Sequence, residues 1–71
     1  MTQVFKTNIT DRGRADIVSL ALTQLLGYKE VSLDMEDEDK VLRIESKGII
    51  SEKEVVNLLN QLNCTCKVLE D

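Results

Sequence analysis

Cys64 and Cys66 stand one residue apart in Asn63-Cys64-Thr65-Cys66-Lys67, and they are the only thiols in the chain. A Cys-x-Cys pair offers three chemistries: a soft-metal site, a disulfide or plain packing. A disulfide fits poorly if the pair lies in one strand. Alternate residues there are about 6.6 Å apart with parallel side chains, whereas a bridge needs Cβ atoms roughly 3.5–4.5 Å apart. There is no histidine in the sequence, so one copy of the chain is short of donors for a zinc shell. Packing, or a soft-metal contact made by one or both thiols, remains.

Other polar groups offer less. Asp34, Glu36, Asp37, Glu38 and Asp39 could attract Ca²⁺ or Mg²⁺. They lack the ligand spacing and the glycine of a dedicated calcium loop, so a solvated hairpin turn is expected. Arg12 and Arg14 precede an apolar-periodic stretch and could hold an anion with the free amides of a helix start, but Asp11 beside them supplies internal neutralisation. No Ser-His-Asp, Cys-His or glycine-rich phosphate loop is present. A nucleophile would lack its base, and no enzymatic activity is expected.

These groups must be positioned by elements that the apolar pattern makes visible. Phe5, Thr7 and Ile9 alternate with Lys6 and Asn8, predicting a half-buried strand over Gln3–Ile9. Thr10 or Asp11 can then cap a helix whose inner stripe is Val18, Ala21, Leu22 and Leu25, with Gly27 as its left-handed stop. A second strand follows, with Val31, Leu33 and Met35 on one face. The acidic turn Glu36–Lys40 leads to a third strand, Val41–Ser46. Ser51 and Glu54 form a capping box for a second helix with Val55, Leu58, Leu59 and Leu62 inward. Asn63 ends it, and Cys64–Leu69 is the last strand. Strand-helix-strand-strand-helix-strand predicts an α+β, ferredoxin-like βαββαβ sandwich: a four-stranded antiparallel sheet with two helices on one face. Strand two should lie at an edge, with strands one and three central.

Seventy-one residues suit one domain spanning 1–71, because smaller pieces could not bury a core. A formal charge of −4 gives no basic footprint for nucleic acid. No stretch approaches the roughly 18 apolar residues of a membrane span, and Met1–Lys6 has no signal-peptide core. A cytoplasmic location with reduced thiols is therefore expected.

The segment Gly27-Tyr28-Lys29-Glu30-Val31-Ser32-Leu33-Asp34-Met35 carries a resemblance. The chain resembles, over nearly its whole length, the heavy-metal-associated domain of copper chaperones and metal-transporting ATPases. That family reads Gly-Met-Thr-Cys-x-x-Cys after its first strand and Gly-Val-x-x-Val-x-Val after its first helix. Ile9-Thr10 stands for Met-Thr, and Val18 and Leu22 fall where the family's helix pattern places apolar residues. The chain departs from the family at the chemistry: Asp11 and Arg14 occupy the positions of the two metal-binding cysteines. A soft-metal loop needs thiolates, and arginine is never a ligand.

The resemblance also aligns Cys64 with an aromatic residue close to the metal loop. It implies that Cys64 approaches Ile9–Arg14 while Cys66, two residues further on, faces the core as a small hydrophobe. The expected function is a binding module with a degenerate metal site. It would meet another protein through the loop Ile9, Thr10, Asp11, Arg12 and Arg14, as a monomer or weak homodimer, in an interaction or regulatory role. The alternative is a carrier of Cu(I) or Zn²⁺ through Cys64, and with it Cys66, shared across a dimer.

Overall fold

In the computed structural model, which describes residues 1–69, the chain runs β1 (Thr2–Thr7), α1 (Arg12–Leu25), β2 (Glu30–Asp34), β3 (Val41–Glu45), α2 (Glu52–Gln61) and β4 (Cys66–Val68). The strands form one antiparallel sheet in the order β2-β3-β1-β4. This is the expected βαββαβ sandwich, with β2 at one edge and β1 and β3 inside. One face of the sheet supplies Phe5, Leu42 and Ile44 to a core completed by Val18 and Leu22 of α1 and Val55 and Leu59 of α2.

The alternation in β1 holds beyond the strand itself. Phe5, Thr7 and Ile9 are all buried, but pairing stops at Thr7. Its hydroxyl donates to the Lys40 carbonyl (2.7 Å) and accepts from the Ile9 amide (3.3 Å), which turns the chain out of the sheet and still tucks Ile9 inside. The stripe of α1 is Ala15, Val18 and Leu22. Leu25, expected inward, is 71% exposed. It lies at the end of the helix, where Gly27 takes a φ of 71° and the turn that follows brings Tyr28 into the core instead.

Ser51 caps α2 by accepting from the Glu54 amide at 3.3 Å, half of the expected box. In the acidic turn, Asp34 accepts from the amides of Glu36 (3.1 Å) and Asp37 (3.3 Å), and Asp37 from that of Asp39 (2.8 Å). These carboxylates shape the hairpin, as a turn requires.

Because β2 has a strand on one side only, amide exchange should separate it from the centre of the sheet. Phe5 and Ile44 should exchange at the slow, globally limited end and Ser32 faster. Ser32 as the slowest of the three would contradict this strand order.

Candidate functional site

The first loop, the end of α2 and the approach to β4 meet at one end of the molecule. Asp11 is the N-cap of α1: its carboxylate accepts from the Arg14 amide at 3.1 Å, satisfying one of the helix's free donors. This explains the helical glycine next to it. A Cβ on Gly13 would lie 3.2 Å from the Asp11 carboxylate oxygen that makes the cap.

Arg14 reaches across to α2, where its guanidinium donates to the Leu62 carbonyl. Leu62 is the C-cap of α2, and that helix has no basic residue in its last turn. Arg14 therefore brings, from a different element, the cation that a helix C-terminus favours. A second tie lies beside it: the Thr65 amide donates to the Asn8 side-chain oxygen at 2.9 Å. The loop after β1 is thus fastened at both ends to the segment between α2 and β4.

The way α2 ends decides where the thiols go. Asn63 takes a φ of 63°; its amide donates to the Asn60 carbonyl (3.0 Å), and the Cys64 amide donates to that of Leu59 (2.8 Å). That pair of bonds is a Schellman motif with asparagine at the left-handed position, and its usual companion is an apolar contact between the residue after the turn and the last helical turn. Cys64 is that residue.

Cys64 is consequently only 3% exposed, in the core cluster with Leu59, and its thiol donates to the Leu62 carbonyl at 3.6 Å. This corrects the expectation that Cys64 is the more accessible thiol and begins the last strand. The strand begins at Cys66, which pairs with Thr7 and is half-buried against the core. The expected inward direction of Cys66 therefore stands, and the order of burial is reversed. Burial, and secondarily the neighbouring Cys64, pushes the Cys66 thiol from its ordinary value of 9.0 up to about 12.

Of the loop residues expected to face a partner, Thr10, Asp11, Arg12 and Arg14 are exposed. Ile9 is 1% exposed and belongs to the core, so it offers no surface. Two of these four, Asp11 and Arg14, line an open groove of about 430 Å³ together with Gly13, Ile17, Gln61, Leu62 and Asn63. Sequence reasoning missed Asn8 and the Leu62 carbonyl. Asn8 could be placed only as an outward strand residue, and a main-chain acceptor leaves no mark in a sequence. Among the described residues, no three His, Cys, Asp or Glu side chains converge as a metal-binding group, and no helix is long and apolar enough to cross a membrane.

Two thiol expectations follow. Alkylation of the native protein at neutral pH should be slow at both cysteines, since Cys64 is covered and Cys66 stays protonated; denaturant should release it. The native pKa of Cys66 is raised above its unfolded value, so its contribution to stability is complete below pH 9.0 and disappears as pH climbs toward about 12. Cys66→Ser should flatten the alkaline limb of a stability–pH curve. A limb of unchanged steepness would count against the burial assigned to Cys66.

No protein-family model matches the chain, and no curated protein matches it in sequence. Solved structures do match. The yeast copper transporter domain Ccc2a, determined in apo and Cu(I)-loaded states, is similar at a TM-score of 0.82 and 10% identity, covering 99% of this chain and 96% of that one. The Cu(I)-loaded first domain of the human copper chaperone for SOD1, CCS, is similar at 0.74 and 21% identity, covering 94% of this chain and 89% of that one. At these identities the likeness is one of fold.

Proposed function

We propose that this chain is a small binding module built on the fold of copper-binding domains, with the metal position given over to structural contacts and the loop end turned to recognition of another protein. One observation carries the reading. Asp11 and Arg14, at the two positions where the resemblance places metal thiolates, are both committed to internal hydrogen bonds, one capping α1 and the other tying α1 to the end of α2. A carboxylate and a permanent cation do not fit Cu(I), which favours thiolate and thioether donors.

The carrier alternative would have to work through Cys64 and Cys66. Cys64 sits in the core with its thiol on a carbonyl, and Cys66 would have to lose a proton that burial holds, because the thiolate is the ligand. Supporting the recognition role, exposed Asp11 and Arg14 line a groove that is partly apolar, from Ile17 and Leu62. A few polar groups around an apolar floor suit a protein segment. No catalytic role is part of the proposal.

The test is anaerobic titration of reduced protein with Cu(I) and with Zn²⁺, followed by native mass spectrometry. The mass should remain that of the apo protein at stoichiometric metal. A single tightly held ion, lost on replacing either cysteine by serine, would transfer the function to the carrier alternative.

A further inference from the structure

Strand β2 has a neighbour on one side only, so its other side is an open template five residues long. The direction of its backbone groups follows from the register. Met1 and Ser46 exchange both of their hydrogen bonds, at 2.7 and 2.9 Å. Such bonded pairs alternate along an antiparallel ladder, so Leu42 and Ile44 bond to β1, while Val41, Arg43 and Glu45 turn to β2. Their partners Asp34, Ser32 and Glu30 are bonded inward, and the N–H and C=O groups of Val31 and Leu33 point away from the sheet. The apolar face is unfinished at the same place. Ile44 and Leu42, opposite Val31 and Leu33, are 0% exposed, whereas Val31 and Leu33 themselves are only half-buried.

The charge along this edge has one sign. Glu30, Asp34, Glu36, Asp37 and Glu38 are the only charged residues between positions 30 and 38. Glu30 and Asp34 are exposed with Ser32 on the face of β2 opposite Val31 and Leu33. Glu30 also stands directly across from Glu45, a like-charge pair of the destabilising kind. Arg43 lies across from Ser32 and, among the described residues, forms no ion pair with either carboxylate. The sheet's other edge, β4, is only three residues long.

We infer that the open edge of β2 takes an extended segment of another protein as an added antiparallel strand, with the pattern basic-apolar-x-apolar-basic. The two apolar residues of that segment lie opposite Val31 and Leu33, exchange hydrogen bonds with them and cover their open flank. Its two basic residues lie opposite Glu30 and Asp34, where each makes an opposite-charge cross-strand pair. One of them also offsets the repulsion between Glu30 and Glu45. A second copy of the chain does not fit. Pairing β2 with itself about Ser32 would oppose Glu30 to Asp34, a like-charge contact that protects an edge against its own kind and leaves it open to a basic strand. The site uses neither Asp11 nor Arg14, so it is independent of recognition at the loop end.

Titration of isotope-labelled protein with an end-capped Lys-Val-Thr-Val-Lys peptide, followed by amide NMR and hydrogen exchange, tests the inference. The Val31 and Leu33 amides should shift and exchange more slowly, while those of Asp11 and Arg14 stay as they were. N-methylation of both peptide valines keeps the side chains and the charge but removes the donors, and should abolish binding. Glu30→Lys, at an exposed position and verified as folded by circular dichroism, should weaken binding about fivefold at low salt and less at high salt. Val31 and Leu33 amides that do not respond overturn the inference. So does an N-methylated peptide, or a Glu-Val-Thr-Val-Glu peptide, that binds as tightly as the lysine peptide.

Discussion

Leu22→Ala should destabilise the fold by about 2–5 kcal/mol, the range for truncating a fully enclosed leucine. Leu22 has no exposed surface, lies in the middle of α1 and packs into the cluster shared by the sheet and both helices. A 71-residue domain has a total stability of about 4–10 kcal/mol by the usual per-residue range, so this one change removes a large share. Leu25→Ala, three residues on, should cost almost nothing, because Leu25 is 71% exposed. Ser51→Ala should fall between them, at about 1 kcal/mol for a lost N-cap. Urea melts of the three variants give the ordering directly. Equal losses at Leu22 and Leu25 would mean that α1 is rotated relative to the arrangement described here.

Asp11→Cys combined with Arg14→Cys should create a two-thiolate Cu(I) site at the start of α1, raising affinity by orders of magnitude. The frame for two thiolates is already present: a loop leaving β1 with Ile9 anchored in the core, followed by the first turn of α1. The replacement also has a cost. It removes the cap from α1, worth about 1 kcal/mol, and the guanidinium from the end of α2. The apo double variant should therefore melt below the wild type, and stoichiometric Cu(I) should raise its melting temperature by mass action. Failure to bind would show that the loop, and not only its two side chains, has left the metal-binding geometry.

The sequence disclosed the architecture because apolar periodicity and turn chemistry agreed along most of the chain. Phe5-Thr7-Ile9, Val18-Leu22 and Val55-Leu59 each pointed inward as read, and Gly27 and Asn63 both took the positive φ expected of a helix stop. The stripe of α1 misled at Leu25 because spacing alone cannot say where a helix runs beyond the sheet it covers. The thiols misled for a local reason. Cys64 was read as the first residue of a strand, whereas the end of α2 claims it as the apolar residue that follows a Schellman turn. At the candidate site, Asp11 and Arg14 stood out in the sequence because of the positions the resemblance gives them, and the structure shows both in hydrogen bonds, Asp11 with the Arg14 amide and Arg14 with the Leu62 carbonyl. What they do instead was not legible, because the bond from Arg14 runs to a main-chain carbonyl on another element.

The central claim is that the metal position of this fold has become a structural joint. It is tested most directly by competition for Cu(I) between the reduced wild-type protein and a chromogenic chelator under anaerobic conditions, with the Asp11→Cys/Arg14→Cys variant alongside. The account predicts that the chelator keeps its copper against the wild type and yields it to the variant. Wild-type protein that strips the chelator stoichiometrically, and loses that ability equally with Cys64→Ser or Cys66→Ser, would contradict the account and make the Cys-x-Cys pair the working site.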